Sequence, residues 1–267
     1  MPNAAPKPHE GDILLREDRE GVAILTLNRP AARNALSEAM IAELSAALDR
    51  IADDASVRVV LLQAAGVAFS AGHDLKEVRA RPERDYYDWL FEQCSQMMKR
   101  IVRLPKPVVA AVEGVATAAG CQLVASCDLA VAGADARFGT PGVNIGLFCS
   151  TPMVALSRNV APKHAMQMLL TGELVDAETA MRMGLVNQVA PAGQASAAAL
   201  ALAAGIAAKS PLTLKIGKEA FYRQLEMDLD GAYAYTAQVM AENMMARDAA
   251  EGIDAFIEKR APQWEGK

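Results

Sequence analysis

Two short segments of small residues have the composition of ligand-binding loops. Residues 69–75 (FSAGHDL) follow a run of apolar residues, and residues 114–122 (GVATAAGCQ) lie between a predicted strand and a predicted helix. Small residues let a ligand approach the backbone closely, and the first N–H groups of a helix have no partner within that helix. If the two loops face each other, two N–H groups could donate to one oxygen atom as negative charge develops on it.

Each loop taken alone also has a simpler interpretation, in which its glycines serve only a turn or close packing. Neither loop matches the phosphate-binding patterns G-x-x-x-x-G-K-[ST] or G-x-G-x-x-G. A nucleotide site of either kind is therefore not supported. The loops form a site only if the fold brings them together.

Strand and helix patterns alternate over the first half of the chain. Residues 13–16 and 22–27 predict an opening hairpin, and the continuous apolar run 57–63 (VRVVLLQ) predicts a buried parallel strand. Ser37 predicts the N-cap of a helix whose apolar residues recur at helical spacing as far as Ile51. The other elements predicted here are a helix from Pro82 to Arg103, strands at 108–112 and 129–132, and a short helix at 121–126.

The second half of the chain is mostly helical in pattern. Ser210 and Pro211 have the residue types of an N-cap and a first helical position, and Asp248 with Glu251 has the spacing of a capping box. This pattern predicts an α/β core with a helical C-terminal section, and we divide the chain into an N-terminal arm (1–11), a core (12–195) and a helical section (196–267). Helices are predicted at 151–159, 162–170, 176–183, 196–208, 211–225, 231–247 and 248–259.

The composition excludes several classes of protein. Of the 267 residues, 52% are hydrophobic and 22% are charged, which predicts a substantial core and excludes a disordered chain. A net charge of −5 argues against a broad nucleic-acid surface. The longest apolar stretch, 197–208, is too short to span a bilayer, and residues 1–12 do not resemble a signal or transit peptide. We expect a cytoplasmic protein that binds neither nucleic acid nor membrane.

The cysteines and histidines do not form a metal-binding or disulfide pattern. The four cysteines lack the close paired spacing of a zinc site, and a chain of this length does not need disulfides. The three histidines are far apart in the sequence. We expect reduced, mostly buried thiols and no metal ion.

Several motifs, in one unbroken order between residues 12 and 265, resemble the enoyl-CoA hydratase/isomerase family, which has the crotonase fold. They are N-R-P-x-x-R-N-A-L at 28–36, F-S-A-G-H-D-L at 69–75, A-A-G-C-Q-L at 118–123, F-G-T-P at 138–141, T-G-E-L-x-x-A-E-x-A at 171–180 and E-G-I-D-A-F-I-E-K-R at 251–260. Within the family, G-H-D-L-K-E and C-Q-L-V-A-S-C-D are similar to the subgroup of enoyl-CoA hydratase domain-containing protein three. The resemblance implies a ClpP-like spiral of ββα units, assembled as a trimer or a hexamer. In that assembly the helical section 196–267 would serve oligomerisation and would cover the CoA of a neighbouring subunit.

The resemblance also implies a ligand, an acyl-CoA thioester, and no tightly bound cofactor. The thioester carbonyl would lie between the backbone N–H groups of His73 and Ala119, so the His73 side chain need not take part. Each charged residue implied at the CoA could instead be a solvated surface charge, and Phe256 could be a core residue. The residues implied at the CoA moiety are Ala71, Arg33 and Lys76, with Phe256 and Lys259 from a neighbouring subunit.

The chain departs from the family at the two positions where hydratases carry glutamates. Gln122 follows the G-C pair of the second loop, and Gly142 follows the proline of F-G-T-P. In hydratases the glutamates hold the water that adds across the double bond, whereas glutamine does not exchange a proton near neutral pH and glycine has no side chain. Gly142 would also open space for an anion, a water or a bulkier acyl group. The resemblance to hydratases therefore does not extend to the groups that hydrate.

Two other polar residues are candidates to replace the missing carboxylates. Asn144 and Cys149 lie in the segment that would wall the acyl pocket. A nucleophilic Cys149 would need an activating base, and His73 is the histidine that the motifs place near it. The acidic residues close to the motifs are interpreted as structural, namely Asp74, Glu113 and Asp128.

The sequence leaves alternative functions open. In the favoured one the protein is an enoyl-CoA hydratase-like lyase or isomerase of fatty acid metabolism, which stabilises a thioester enolate. In the second it binds acyl-CoA with little or no catalysis. In the third it is a hydrolase that uses Cys149 and His73.

Overall fold

The computed structural model describes residues 11–267, so the predicted N-terminal arm lies almost wholly outside the described residues. The strands are β1 Leu14–Arg19, β2 Val22–Leu27, β3 Val59–Ala64, β4 Ala68–Ser70, β5 Val108–Val112, β6 Val115–Thr117, β7 Leu129–Gly133, β8 Arg137–Gly139, β9 Val175–Asp176 and β10 Gln188–Ala190. The helices are α1 Glu38–Ala52, α2 Leu75–Ala80, α3 Arg84–Arg103, α4 Ala119–Ser126, α5 Pro152–Asn159, α6 Pro162–Thr171, α7 Ala177–Met183, α8 Ala195–Ala207, α9 Pro211–Gln224, α10 Leu229–Met244 and α11 Arg247–Glu258.

The strands form two sheets, and each repeating unit of the fold contributes one strand to each of them. The larger sheet has the order β1-β2-β3-β5-β7-β10, and the smaller has the order β4-β6-β8-β9. Three successive strand pairs, β3–β4, β5–β6 and β7–β8, each give their first strand to the larger sheet and their second to the smaller, and helices follow each pair. The predicted spiral of ββα units is therefore confirmed.

The strands that lead into the candidate loops run in the same direction. In the smaller sheet β6 pairs in parallel with both β4 and β8. In the larger sheet β2, β3, β5, β7 and β10 are also parallel, and β1 pairs antiparallel with β2 as the predicted hairpin. The carboxyl ends of β4, β6 and β8 consequently lie along one edge of the smaller sheet.

Both faces of the larger sheet are buried, which explains the continuous apolar run in β3. On one face Val60 and Leu62 belong to a cluster with apolar residues of α1, α3 and α4. On the other face Val59 and Leu61 pack against α8. The alanines of α8 recur every four residues and let the helix lie close to the strands, at positions Ala195, Ala199, Ala203 and Ala207.

The predicted N-caps at Ser37 and Ser210 and the predicted C-terminal helices are confirmed. The Ser37 hydroxyl accepts a hydrogen bond from the Met40 N–H at the start of α1, and the Ser210 hydroxyl accepts one from the Thr213 N–H at the start of α9. Each helix predicted after residue 150 is present with ends shifted by a few residues. The predicted role of the section 196–267 in oligomerisation stays a prediction.

The capping box predicted at Asp248 is wrong. The helix α11 begins one residue earlier, with Ala246 as its N-cap. The buried Asp248 carboxylate instead accepts hydrogen bonds from the Ser210 hydroxyl and from the N–H groups of Glu265 and Gly266. A buried carboxylate needs several donors, and here the end of the chain supplies them.

Short elements next to the candidate loops were missed. The three-residue strands β4, β6 and β8 were treated as loops or not assigned, because three residues are too few to show a periodicity. The helix α2 was also missed, and the Asp74 side chain caps it by accepting a hydrogen bond from the Lys76 N–H.

Several expectations about the whole chain can be compared with residues 11–267. All four cysteines are buried and free. Over the same residues, His, Cys, Asp and Glu side chains form no group of three or more that could hold a metal ion. No single helix there is long and apolar enough to cross a membrane, although α8 and α9 together have that length and composition, with a bend of 106° between them.

The close packing of α8 gives a stability prediction. Ala203→Leu should lower the free energy of unfolding by about 1–3 kcal/mol, because the larger side chain has no space between α8 and the sheet. Urea denaturation would measure it. In the matched control Ala204→Leu, at an exposed position of the same helix, the change should stay within about 0.5 kcal/mol.

Candidate functional site

The first two candidate loops are in direct contact. They follow the carboxyl ends of β4 and β6, which are neighbours in the smaller sheet. A Cβ atom added to Gly72 would lie 2.9 Å from the Ala118 Cβ and 3.3 Å from the Ala119 nitrogen. A Cβ atom added to Gly120 would lie 2.3 Å from the Ser70 carbonyl oxygen. Glycine at these two positions therefore lets the two backbones touch.

The N–H groups of His73 and Ala119 lack partners within residues 11–267. The Leu36 N–H donates to the Gly72 carbonyl (2.8 Å), and the Leu36 carbonyl accepts from the Asp74 N–H (3.4 Å). These bonds use the residues before and after His73, so the His73 N–H itself is not used. Ala119 is the first residue of α4, where a helix has no internal acceptor for the N–H. Two unpaired backbone donors thus belong to loops that touch.

A buried asparagine fixes the first loop. The Asn34 side chain is fully buried; its amide donates to the carbonyls of Ala65 and Ala68, each at 2.8 Å, and its oxygen accepts from the Arg29 N–H at 2.7 Å. Next to it, the Ala71 N–H donates to the Arg33 carbonyl at 3.0 Å. Sequence reasoning missed Asn34, although it lies inside the motif at 28–36.

The acidic residues close to the loops are occupied in the fold, as predicted. Asp74 pairs with the Arg29 guanidinium at 3.2 Å. Glu113 accepts hydrogen bonds from the N–H groups of Gly193 and Ala195 at the start of α8. Asp128 accepts from the Val108 N–H, the Lys218 ammonium and the Tyr222 hydroxyl.

The third loop, which follows β8, contradicts the expectation of open space at Gly142. A Cβ atom there would lie 2.6 Å from the Leu147 carbonyl oxygen and 2.8 Å from the Cys149 Sγ. The Leu147 N–H donates to the Gly142 carbonyl at 2.9 Å, which folds the chain back over the glycine. The volume that a side chain would need at position 142 is therefore already filled.

Buried polar atoms without partners cluster at these loops. In residues 11–267 they are both ring nitrogens of His73, Oε1 of Gln122 and Oγ1 of Thr140. Gln122 is 4% exposed and Thr140 is 1% exposed. Each such atom costs about 1–3 kcal/mol, so a group of them next to unpaired N–H donors indicates a place for a ligand. Sequence reasoning missed Thr140, which lies within the F-G-T-P motif.

The three residues of this cluster lie around Ala118. His73 follows Gly72, which touches Ala118. The Gln122 N–H donates to the Ala118 carbonyl at 3.0 Å. Thr140 follows Gly139, whose carbonyl accepts from the Ala118 N–H at 2.9 Å. Residues from the three strand ends therefore meet at one point of the fold.

The His73 imidazole is neutral at physiological pH. Burial lowers its pKa from the ordinary value of 6.5, and the Leu36 backbone opposes this shift only in part. The ring packs edge-on against Phe91 of α3, with 5.5 Å between the ring centres. A neutral imidazole carries one N–H donor and one nitrogen lone pair.

The cysteine and histidine of the hydrolase alternative are not paired. Burial raises the pKa of the Cys149 thiol, and a hydrogen bond from the Gly142 backbone opposes the shift. Neither ring nitrogen of His73 has a hydrogen-bond partner. A neutral thiol without a base is a poor nucleophile, so the hydrolase alternative lacks its essential pair.

The residues implied at the CoA moiety are exposed. Arg33 and Lys76 lie at the surface beside the first loop. Phe256 is 85% exposed on α11, which packs against α9 and α10, and Lys259 follows the end of that helix. The alternative in which Phe256 is a core residue is therefore wrong.

A pocket of about 300 Å³ lies elsewhere, against α9. Its polar side chains are already bonded to one another, since the Lys218 ammonium donates to Asp128 and to the carbonyls of Ile101 and Lys106. The cluster around Ala118 differs, because its polar atoms lack partners.

Comparison with known proteins agrees with this arrangement of loops. Residues 17–267 match the enoyl-CoA hydratase/isomerase family. The chain belongs to that family. It is 46% identical over 264 residues to the rat protein called enoyl-CoA hydratase domain-containing protein 3, mitochondrial, covering 98% of this chain and 88% of the relative. The resemblance predicted from the motifs is confirmed.

Solved structures of the family share the fold. The crystal structure of an enoyl-CoA hydratase from Mycobacterium smegmatis has a TM-score of 0.92 and 55% identity, covering 95% of this chain and 99% of that one. The human enoyl-CoA hydratase domain-containing protein 3 has a TM-score of 0.92 and 45% identity, covering 95% and 100%. The protein therefore has the crotonase fold.

The neutral imidazole predicts a pH effect on stability. Below pH 6.5 the unfolded chain binds a proton at His73 that the folded chain does not bind, because the folded pKa is lowered. The free energy of unfolding should therefore fall as the pH drops from 6.5 to the folded pKa, and His73→Gln should remove this part of the slope. Urea denaturation at a series of pH values would measure it. His164→Gln, at an exposed position, should keep the slope; a slope unchanged in His73→Gln would contradict the prediction.

Proposed function

We propose that this protein binds acyl-CoA thioesters and stabilises a thioester enolate between the N–H groups of His73 and Ala119. The observation that carries the proposal is the pair of unpartnered backbone donors on loops that touch at Gly72 and Ala118. Fixed donors aimed at one oxygen stabilise the charge that develops there when a thioester is enolised. Membership of the enoyl-CoA hydratase/isomerase family supports the choice of a CoA thioester.

In this proposal Arg33 and Lys76 bind the CoA phosphates, and Ala71 contacts the CoA near the thioester. Arg33 and Ala71 are joined by a backbone hydrogen bond, and both cationic side chains are exposed. Phe256 and Lys259 cover the adenine end of a neighbouring subunit's ligand. The exposed apolar side chains Ile253, Phe256 and Ile257 on α11 support a surface that another subunit covers, in a trimer or a hexamer.

The reaction is the open part of the proposal. Hydration of an enoyl thioester needs groups that activate water and transfer protons, and Gln122 and Gly142 supply neither. The filled volume at Gly142 leaves no room for a carboxylate side chain at that position. This observation favours the second function, an acyl-CoA-binding protein with little or no catalysis, over ordinary hydration.

The cytoplasmic location stays a prediction. The rat and human relatives are named mitochondrial, which describes those proteins. Fractionation of cells that contain this protein would decide it.

Binding is tested by calorimetry with acetoacetyl-CoA, for which we expect a roughly micromolar Kd. Arg33→Ala and Lys76→Ala should each weaken binding by about 1 kcal/mol, because each removes a partly exposed phosphate contact. Lys163→Ala, at an exposed position of α6, is the matched control and should leave the Kd unchanged. The absence of heat with the wild-type protein at millimolar ligand would exclude the site.

Light scattering tests the assembly separately and would show whether the protein is a trimer or a hexamer.

Hydration of crotonyl-CoA tests the missing carboxylates. The wild-type protein should hydrate it at no more than a trace rate, since each acid–base role is worth roughly 10²–10⁴-fold. Gln122→Glu should raise the rate, because it restores one carboxylate where the side chain already fits; Gln122→Asn is the control and should not. The hydroxyacyl product is separated by chromatography and quantified, and a rise in rate of about 10-fold would be a clear gain. Ordinary wild-type turnover would mean that another residue transfers the protons.

A further inference from the structure

The candidate site has unpaired backbone donors, and three carboxylates close to it are used by the fold. Asp74 pairs with Arg29, Glu113 holds the start of α8, and Asp128 holds α9. The other buried groups near Ala118 are the Gln122 amide and the Thr140 hydroxyl, and neither titrates near neutral pH. None of these groups offers a free proton acceptor for enolate chemistry, whereas the same cluster also contains the His73 imidazole.

The His73 imidazole has the properties that such an acceptor needs. Both of its ring nitrogens are buried, and no donor in residues 11–267 forms a hydrogen bond to the lone pair of the neutral ring. Its surroundings include the apolar ring of Phe91 and the Leu36 backbone. Asp74, the next residue in the chain, forms an ion pair with Arg29 and not with the imidazole.

The position of His73 also brings side chain and ligand together. The same residue supplies one of the two unpaired backbone N–H groups. In a thioester whose carbonyl oxygen accepts from that N–H, the α-carbon is one bond from the carbonyl carbon, so the α-proton and the His73 side chain both lie within a few bonds of the same hydrogen bond. The imidazole packs edge-on against Phe91, which is itself 38% exposed, so the ring lies close to the surface of the site.

We propose that the imidazole of His73 is the catalytic base that removes the α-proton of the bound acyl thioester, a step that rests on the proposed function. The Cα–H bond breaks, the proton moves to the free ring nitrogen, and the electron pair passes through the new C=C bond to the thioester oxygen. The N–H groups of His73 and Ala119 hold that oxygen, and the imidazolium is attracted to the enolate. The reverse step returns a proton to the α-carbon, so no co-reactant is consumed.

The test measures exchange of the α-protons of butyryl-CoA in deuterium oxide by proton NMR. Butyryl-CoA has no double bond to hydrate, so exchange reports enolisation alone. His73→Gln should slow exchange by at least about 100-fold, the lower end of the value of a general base. Its Kd for butyryl-CoA should change by less than about threefold, because the backbone donor remains. His164→Gln, at an exposed position of α6, is the matched control and should exchange at the wild-type rate.

The possible results separate this step from the proposed function. Unchanged exchange in His73→Gln with binding intact would overturn the role of His73 alone. A wild-type protein that binds butyryl-CoA without exchanging its α-protons would also overturn it and would support an acyl-CoA-binding protein. No binding by the wild-type protein would overturn the proposed function and this step together. If circular dichroism shows that His73→Gln is unfolded, His73→Asn takes its place in the same comparison.

Discussion

The close approach of two backbones, at Gly72 with Ala118 and at Gly120 with Ser70, is the constraint on which the candidate site depends. A single Cβ atom at either glycine would meet atoms at 2.9 Å or less. The pairing of β4 with β6 brings the loops to the same edge of the sheet, and the Asn34 amide holds the chain between β3 and β4, just before the first loop. The two unpartnered N–H groups are held together by this contact, so their geometry is fixed before any ligand binds.

The carboxylates near the loops serve the scaffold and leave the candidate site without a free acidic side chain among Asp74, Glu113 and Asp128. The carboxylates near the loops each join two elements of the fold, as Asp128 does for β5 and α9. The site itself is left with backbone N–H groups, an amide, a hydroxyl and a neutral imidazole. These groups act through hydrogen bonds, and burial favours the neutral form of the imidazole by lowering its pKa.

The space beside Gly142 is filled by later residues of the same chain. The Leu147 carbonyl and the Cys149 sulfur occupy the volume where a side chain would begin. The chain has thus closed this part of the site with its own backbone, and a substitution at Gly142 alone would disturb the segment that follows. Position 122 differs, because the Gln122 side chain is present, buried and without a partner for its oxygen.

The sequence by itself determined the elements whose signals are local, and it placed the motifs on them. The N-caps at Ser37 and Ser210, the buried run in β3 and the helices after residue 150 follow from residue type and spacing. Only the tertiary structure decided the three-residue strands, the filled space at Gly142 and the donors around Asp248. These depend on contacts between residues far apart in the chain, and a short pattern carries no information about which distant atoms will occupy the space beside it.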